Sequence, residues 1–185
     1  MGLIRNIRKG LTFLRRDLTV SPEDAAFASE YLSPAECQLF WRLSVQDQVH
    51  SIRVARTSLL SLADFPELDG RDVVRGALLH DIGKTQADLG IVFRTIWTLI
   101  AKVAPNALER LSARFGDARP GTLRHRMYVQ ARHAEIGADI LADTGTDETV
   151  RALVRNTGLP MDCPREPADR LLLAADADRV LRRHS

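Results

Sequence analysis

Apolar residues recur at helical spacing along most of this chain, and no segment shows a convincing alternation of apolar and polar residues. Steps of three and four place side chains on one face of an α-helix, whereas alternation is typical of a half-buried strand. The clearest stripe lies near the N-terminus, where basic residues flank the apolar positions Ile4, Ile7, Leu11, Leu14 and Leu18. The sequence therefore predicts an all-α protein that begins with a basic amphipathic helix.

Two Ser-Pro pairs mark helix starts early in the chain. Ser21-Pro22 and Ser33-Pro34 each offer a side-chain cap followed by a proline, which the first turn of a helix tolerates. Glu36 lies three residues after Ser33, so the second start has the pattern of a capping box. Further helices are predicted at residues 45–62, 71–81, 91–103, 107–115, 124–142, 147–155 and 167–183.

A length of 185 residues suits one domain with a sizeable core, and no linker divides the chain. We expect residues 1–20 to form the N-terminal helix and residues 21–185 to form a single helical bundle with its core at 43–181. A formal net charge of +2 does not indicate a specific nucleic-acid partner. Cys37 and Cys163 lie far apart, and no apolar run approaches the roughly 18 residues of a membrane-spanning helix. A cytoplasmic location is therefore predicted.

The adjacent pair His80-Asp81 follows three apolar residues at the end of the predicted helix 71–81. A carboxylate beside an imidazole in such a setting carries a desolvation cost unless something neutralises it. A divalent cation would do so, and mixed imidazole and carboxylate ligands favour Mn²⁺, Fe²⁺, Zn²⁺ or Mg²⁺ over a thiolate site. His50, His133 and Asp176 also lie on predicted helices beside apolar residues.

Residues 49–55 (VHSIRVA) and 79–84 (LHDIGK) resemble two motifs of the HD-domain metal-dependent phosphohydrolases. The resemblance covers roughly residues 43–180. It implies an all-α bundle in which separate helices supply a histidine, a His-Asp pair and a distant aspartate. In this chain the implied ligands are His50, His80, Asp81 and Asp176.

A branch of that family binds a second metal through further histidines, and His133 in the segment HAEIGA resembles the first of them. Where the next histidines should stand, the chain has Asn156 and Thr157. An asparagine carbonyl could hold a water or a weakly bound ion, but it replaces imidazole poorly. One metal is therefore favoured over two, with His133 as the candidate added ligand. The Gly-Tyr-Pro signature of the cyclic-dinucleotide branch is absent.

The resemblance implies an enzyme that hydrolyses a nucleotide or another phosphate ester or anhydride with a metal-activated water. Catalytic roles are assigned to Asp81 and Lys84. The candidate substrate contacts are Lys84, Arg53, Arg132 and Asn156. For the three cations, a solvated helix end or a surface salt bridge is the alternative interpretation.

Two other classes of function stay open. The lack of a histidine at Asn156 is compatible with a catalytically weak or inactive HD-like module that senses a nucleotide or scaffolds a partner. The stripe within residues 1–18 could also lie on an anionic membrane surface, although docking onto its own domain or a second copy is favoured. For the enzyme, the expected partner is a phosphorylated small molecule such as a nucleotide.

Overall fold

The computed structural model describes residues 19–90, 93, 96–97, 100, 108, 110–112, 114–159, 163 and 165–177. Every regular element in these residues is helical and none is a strand, which confirms the all-α prediction. The α-helices bounded there are α1 (Pro22–Tyr31), α2 (Pro34–Phe40), α3 (Val45–Ser61), α4 (Gly70–Leu79), α5 (Leu123–Ala142), α6 (Glu148–Asn156) and α7 (Pro167–Asp176). Two 3-10 helices, Leu62–Asp64 and Ile82–Gln86, follow α3 and α4.

Several predicted helices fall wholly or partly outside this range. The N-terminal stripe lies in residues 1–18, which are not among the described residues, and the predicted helices 91–103, 107–115 and 167–183 are described only in part. Two helix ends differ from the prediction, since α4 ends at Leu79 and α7 ends at Asp176. The prediction followed apolar spacing, which runs on past both points. The backbone nevertheless leaves helical geometry at Asp81 (φ −97°, ψ 4°) and at Ala177 (φ −81°, ψ 15°).

Both Ser-Pro pairs begin helices as predicted. The Ser21 hydroxyl accepts a hydrogen bond from the backbone N–H of Asp24 at 3.1 Å. The capping box of α2 is complete, because Ser33 Oγ accepts from the Glu36 N–H at 3.3 Å and Glu36 Oε2 accepts from the Ser33 N–H at 2.8 Å. These side chains accept hydrogen bonds from backbone N–H groups that the start of a helix otherwise leaves unpaired.

Helix α4 lies at the centre of the bundle. Its residues Val74, Ala77, Leu78 and Leu79 are fully buried and belong to the largest apolar cluster. Helices α1, α2, α3, α6 and α7 all contact α4, so the end of α4 is surrounded by other elements. Within the part of the chain that the structure describes, no helix combines the length and apolar character needed to cross a membrane.

The turn after α4 packs against α5 through two glycines. A Cβ atom on Gly83 would overlap the backbone carbonyl of His133, and a Cβ on Gly137 would lie 3.1 Å from the Gly83 nitrogen. The 3-10 helix Ile82–Gln86 can approach α5 this closely only because neither position carries a side chain. This contact holds the turn that carries Asp81 beside the turn of α5 that carries His133.

A buried ion-pair network joins α2 to α4. Glu36 is 1% exposed, and its Oε1 accepts from Arg75 at 2.8 Å and from the Thr146 hydroxyl at 2.9 Å. Arg75 also contacts Asp147 at 2.6 Å and Asp72 at 3.2 Å. The network ties α2 and α4 to the residues that precede α6, and it leaves no oxygen of the buried Glu36 carboxylate without a donor.

Candidate metal centre

Three side chains from three different helices meet at one end of α4. His50 comes from the second turn of α3, His80 follows the last residue of α4, and Asp176 is the last residue of α7. One ligand atom from each residue lies within 4.8 Å of the others. The residues are far apart in sequence, so the packing of α3 and α7 against α4 creates this group.

The atoms within the group are close enough to share one ion. His50 Nε2 lies 2.9 Å from Asp176 Oδ1, and His80 Nε2 lies 4.0 Å from the same oxygen. The two imidazole rings are 5.3 Å apart between centroids. The His50 side chain is 27% exposed and Asp176 is 46% exposed, whereas His80 is only 5% exposed. The group is therefore buried on the α4 side and open on the other, as a site that admits a ligand requires.

Asp81 lies next to this group and connects it to His133. Its Oδ1 is 3.4 Å from His80 Nε2 and 3.6 Å from His133 Nε2, while its Oδ2 is 2.6 Å from Lys84 Nζ. The Asp81 side chain is 1% exposed. The structure thus brings Asp81 and His133 together with the other predicted ligands, with the Asp81 carboxylate between His80 and His133.

The electrostatics of the cluster keep its carboxylates ionised. Burial alone would raise the pKa of Asp81, but the charges of His80 and Lys84 outweigh it and hold the pKa far below the ordinary value of 3.8. Burial likewise raises the pKa of Asp176, and the hydrogen bond from His50 reverses the shift. Both aspartates are therefore anionic at neutral pH, which is the form that binds metal.

Two of the three imidazoles are oriented for metal binding. His80 Nδ1 lies 2.8 Å from the Ala77 carbonyl, and His133 Nδ1 lies 2.9 Å from the Gln130 carbonyl. A carbonyl oxygen can only accept, so each Nδ1 carries a hydrogen, and the neutral form of either ring, which is the form that binds metal, has its lone pair on Nε2. Burial, followed by the charge of Lys84, lowers the pKa of His133 below 6.5, so this ring is neutral near pH 7. Both Nε2 atoms face the Asp81 carboxylate.

His50 has a different arrangement because of Arg53. The Arg53 guanidinium lies 2.8 Å from His50 Nδ1 and can only donate, so Nδ1 accepts. The neutral ring then carries its hydrogen on Nε2, which donates to Asp176. For Nε2 to bind a metal, the hydrogen must move to Nδ1 and Arg53 must withdraw from it. Arg53, a predicted substrate contact, therefore lies beside the cluster and is hydrogen-bonded to His50.

The other predicted substrate contacts are placed differently. Lys84 is beside the cluster, where its ammonium donates to Asp81. Arg132 forms an ion pair with Glu135 on the next turn of α5, at 2.7 Å. The side-chain amide of Asn156 donates to both oxygens of the buried Asp169, each at 3.2 Å. For Arg132 and Asn156, a role in substrate binding stays a prediction.

Sequence reasoning missed the features that orient the cluster. The carbonyl acceptors of His80 and His133 are backbone atoms three residues upstream, and any residue type could supply them. No role was predicted for Gly137 either, although its close approach to Gly83 positions Asp81. A glycine inside a long predicted helix is the one signal that could have indicated this contact, because glycine is unfavourable there without a packing reason.

The donor set fits a divalent metal ion. His50, His80, Asp81 and Asp176 would hold it, and His133, which lies 3.6 Å from Asp81 Oδ1, would be the added ligand. Imidazole nitrogens and carboxylate oxygens suit Mn²⁺, Fe²⁺ and Zn²⁺, with Mg²⁺ less favoured as the number of nitrogen ligands rises. No thiolate takes part, since neither Cys37 nor Cys163 belongs to the group.

Comparison with known proteins gives one finding. A family model described as HD domain matches residues 48–183, well over half of the chain. The matched segment contains every residue of the cluster, from His50 to Asp176. No curated protein and no solved structure gives a significant match.

Proposed function

This chain belongs to the HD domain family, and on that premise we propose that it is a metal-dependent phosphohydrolase that acts on a nucleotide or another phosphate ester or anhydride. The observation that carries the proposal is the convergence of His50, His80 and Asp176 from three helices, with ligand atoms within 4.8 Å of one another. Ionised carboxylates gathered with imidazoles in a partly buried cleft carry a desolvation cost that a bound cation would offset, and such groups are typical of functional sites.

A divalent ion bound here would polarise a phosphoryl oxygen as a Lewis acid and would lower the pKa of a bound water. The chain contributes orientation. The Ala77 and Gln130 carbonyls fix the rings of His80 and His133, so that these ligands need little reorganisation when the site is loaded. The close contact of Gly83 with α5 likewise holds the turn that carries Asp81 in place.

Lys84 adds a positive charge at the edge of the cluster. Its side chain is 15% exposed, and its ammonium contacts Asp81 Oδ2 at 2.6 Å. A lysine ammonium has three donors, so Lys84 can also donate to a phosphoryl oxygen while it holds Asp81. Such a donor stabilises the charge that develops on the phosphoryl group during displacement. Arg53, once it withdraws from His50, lies within reach of the same group.

Release of inorganic phosphate tests this proposal. Purified chain supplied with Mn²⁺, Fe²⁺ or Mg²⁺ should release phosphate from at least one member of a panel of nucleotides and simple phosphate esters. Asp81→Asn should lower kcat at least ~100-fold, since it removes a charged ligand while it keeps the shape of the side chain. Metal-loaded wild-type protein that is inert towards the whole panel would contradict the proposal.

A catalytically inactive, nucleotide-sensing or scaffolding module is the second candidate. It is favoured by Asn156, because an asparagine offers no imidazole for a second metal. The amide of Asn156 also donates to Asp169 rather than to the cluster. Metal-loaded protein that binds a nucleotide in a calorimetric titration without hydrolysing it would support this candidate over the enzyme.

A further inference from the structure

A cavity of about 370 Å³ lies beside Lys84, between the start of α3 and the residues that follow the 3-10 helix Ile82–Gln86. This volume is within the range of roughly 300–1,000 Å³ that is typical of small-molecule sites. Most of its lining is polar, from the side chains of Arg42, Ser44, Gln46, Asp47, Lys84 and Asp88. Apart from Thr85, the remaining lining residues that the structure describes are aliphatic or glycine, and none of them is aromatic.

The cavity adjoins the metal cluster along two elements. Lys84 lines the cavity and its ammonium contacts Asp81 at 2.6 Å, so this residue borders both the cavity and the cluster. On α3, Gln46 lines the cavity and His50 joins the cluster four residues later, which is about 6 Å of axial rise. A single sugar-sized group can span that distance. A phosphate ester held at the cluster would therefore extend into this cavity.

The charges in the cavity disfavour a second phosphate. Two cations, Arg42 and Lys84, line it together with two carboxylates, Asp47 and Asp88. Lys84 is paired with Asp81 and, in the proposed function, also donates to the phosphate held at the cluster, and Asp47 is buried and accepts from the Ser44 hydroxyl at 2.7 Å. A second phosphate would therefore meet Asp47 and Asp88 with little compensation from Arg42. Without an aromatic side chain, a nucleobase would also lack a stacking partner in the described lining.

A neutral group with several hydroxyls fits this lining much better. Its hydroxyls can donate to the exposed carboxylate of Asp88 and accept from the Arg42 guanidinium and the Gln46 amide. The bound group itself carries no charge, so the carboxylates do not repel it. Its hydroxyls both donate and accept, as this mixed lining requires. The chemistry therefore selects a polyol.

We propose that this cavity binds the hydroxylated part of the substrate, a sugar or other polyol esterified to the phosphate that the metal cluster holds. The inference rests on the proposed phosphohydrolase function and narrows its substrate class. The polyol can come from a free sugar phosphate or from the ribose of a nucleotide, and the two sources are separated by experiment.

Two substrates that differ only in the polyol test the inference. Ribose 5-phosphate and ethyl phosphate both release a primary alkoxide, but ethyl phosphate has no hydroxyls that could reach the cavity. The measured quantity is the specificity ratio, kcat/KM for ribose 5-phosphate divided by kcat/KM for ethyl phosphate, with Mn²⁺-loaded full chain. The ratio should be at least about ten, the effect of one or two good hydrogen bonds. A ratio near one overturns the inference.

Two cavity variants make the test specific. Gly90 lines the cavity and has no atom within 4 Å of where its Cβ would lie, so Gly90→Phe can fill the space without a clash at Cβ. Asp88 is exposed, so Asp88→Ala removes a carboxylate with little cost to folding. Each should reduce the specificity ratio about tenfold or more. Asp117→Ala, at an exposed aspartate that does not line the cavity, should leave the ratio unchanged.

The remaining outcomes are also decisive. If both cavity variants leave the specificity ratio unchanged, the cavity does not bind the polyol. Adenosine monophosphate identifies the source: comparable loss of its hydrolysis in Gly90→Phe indicates the ribose of a nucleotide, whereas hydrolysis of ribose 5-phosphate alone indicates a free sugar phosphate. Metal-loaded wild-type protein that hydrolyses none of these three compounds and no other member of the panel overturns the proposed function itself, a result distinct from a ratio near one.

Discussion

At the scale of single residues, the sequence was most informative about which side chains the fold brings together. His50, His80 and Asp176 were predicted from a motif resemblance, and the structure places their ligand atoms within 4.8 Å of one another. The sequence was less informative about the partners of those ligands. Arg53 contacts His50 and Asn156 contacts Asp169, and neither contact follows from a motif because each depends on which rotamer the packing allows.

The contact between Arg53 and His50 leads to a prediction about metal affinity. Arg53 stabilises the His50 tautomer that has no lone pair on Nε2, so it competes with a metal for this ring. Arg53→Met should therefore tighten Mn²⁺ or Zn²⁺ binding by about threefold to tenfold, the effect of one hydrogen bond of ordinary strength. Competition with a fluorescent chelator measures the dissociation constant directly.

Arg132→Met is the matched control for this measurement. Arg132 also stands next to a histidine of the cluster in sequence, but its guanidinium pairs with Glu135. Its replacement should leave metal affinity unchanged. Metal binding that weakens in Arg53→Met would show that the arginine supports the loaded site rather than competing with it.

At the scale of secondary-structure elements, helix starts were predicted well and helix ends less well. Ser21 and Ser33 cap their helices through side chains within three residues, so local sequence contains all the needed information. The turn that follows the end of α4 instead packs Gly83 against His133 and Gly137 of α5, which are fifty or more residues away in sequence. Spacing of apolar residues along one helix cannot report such a contact.

The glycine contact between the 3-10 helix and α5 should be sensitive to a single methyl group. In Gly83→Ala the new Cβ would overlap the backbone carbonyl of His133, which cannot rotate away. Overpacking of this kind costs about 1–3 kcal/mol, so the free energy of unfolding from urea denaturation should fall by at least ~1 kcal/mol. Gly90→Ala, where no atom lies within 4 Å of the new Cβ, should be within about 0.5 kcal/mol of wild type. Equal stabilities for the two variants would disprove this role for Gly83.

The network around Glu36 should give a pH-dependent contribution to stability. Burial raises the pKa of Glu36, but the hydrogen bonds from Arg75, Ser33 and Thr146 outweigh burial and leave the pKa below its ordinary value of 4.5. A carboxyl whose pKa is lowered by folding stabilises the native state above its unfolded pKa, and this contribution is lost as the pH falls through the folded pKa.

Glu36→Gln tests this contribution. The substitution should lower the free energy of unfolding at pH 7 by about 1–3 kcal/mol. The loss is less than for a fully isolated buried pair, because Arg75 keeps its contacts with Asp147 and Asp72. Urea denaturation at pH 7 and again below pH 4 should show the difference from wild type shrinking on acidification. A difference that is the same at both pH values would mean that Glu36 does not titrate in the native state as the network requires.

At the scale of the whole molecule, the cluster connects three helices that also pack against one another in the apolar core. His50, His80 and Asp176 belong to or directly follow α3, α4 and α7, and these helices share one apolar cluster through residues such as Ile52, Leu78 and Leu172. A ligand that binds only the folded state stabilises it by mass action, by about 2.7 kcal/mol at a concentration 100 times its dissociation constant. Saturating Mn²⁺ should therefore raise the unfolding temperature of wild-type protein, and a chelator should reverse the rise. A transition that does not respond to either would argue against ligation by native side chains.

Metal content of the purified chain is the measurement that tests the central claim most directly. After loading with Mn²⁺, Fe²⁺ or Zn²⁺ and removal of free ion, elemental analysis should find about one ion per wild-type chain and almost none in His80→Ala. His125→Ala, at a histidine outside the cluster, should keep the wild-type content. A wild-type chain without metal, or a His80→Ala variant with undiminished metal, would contradict the claim that these side chains form a metal centre.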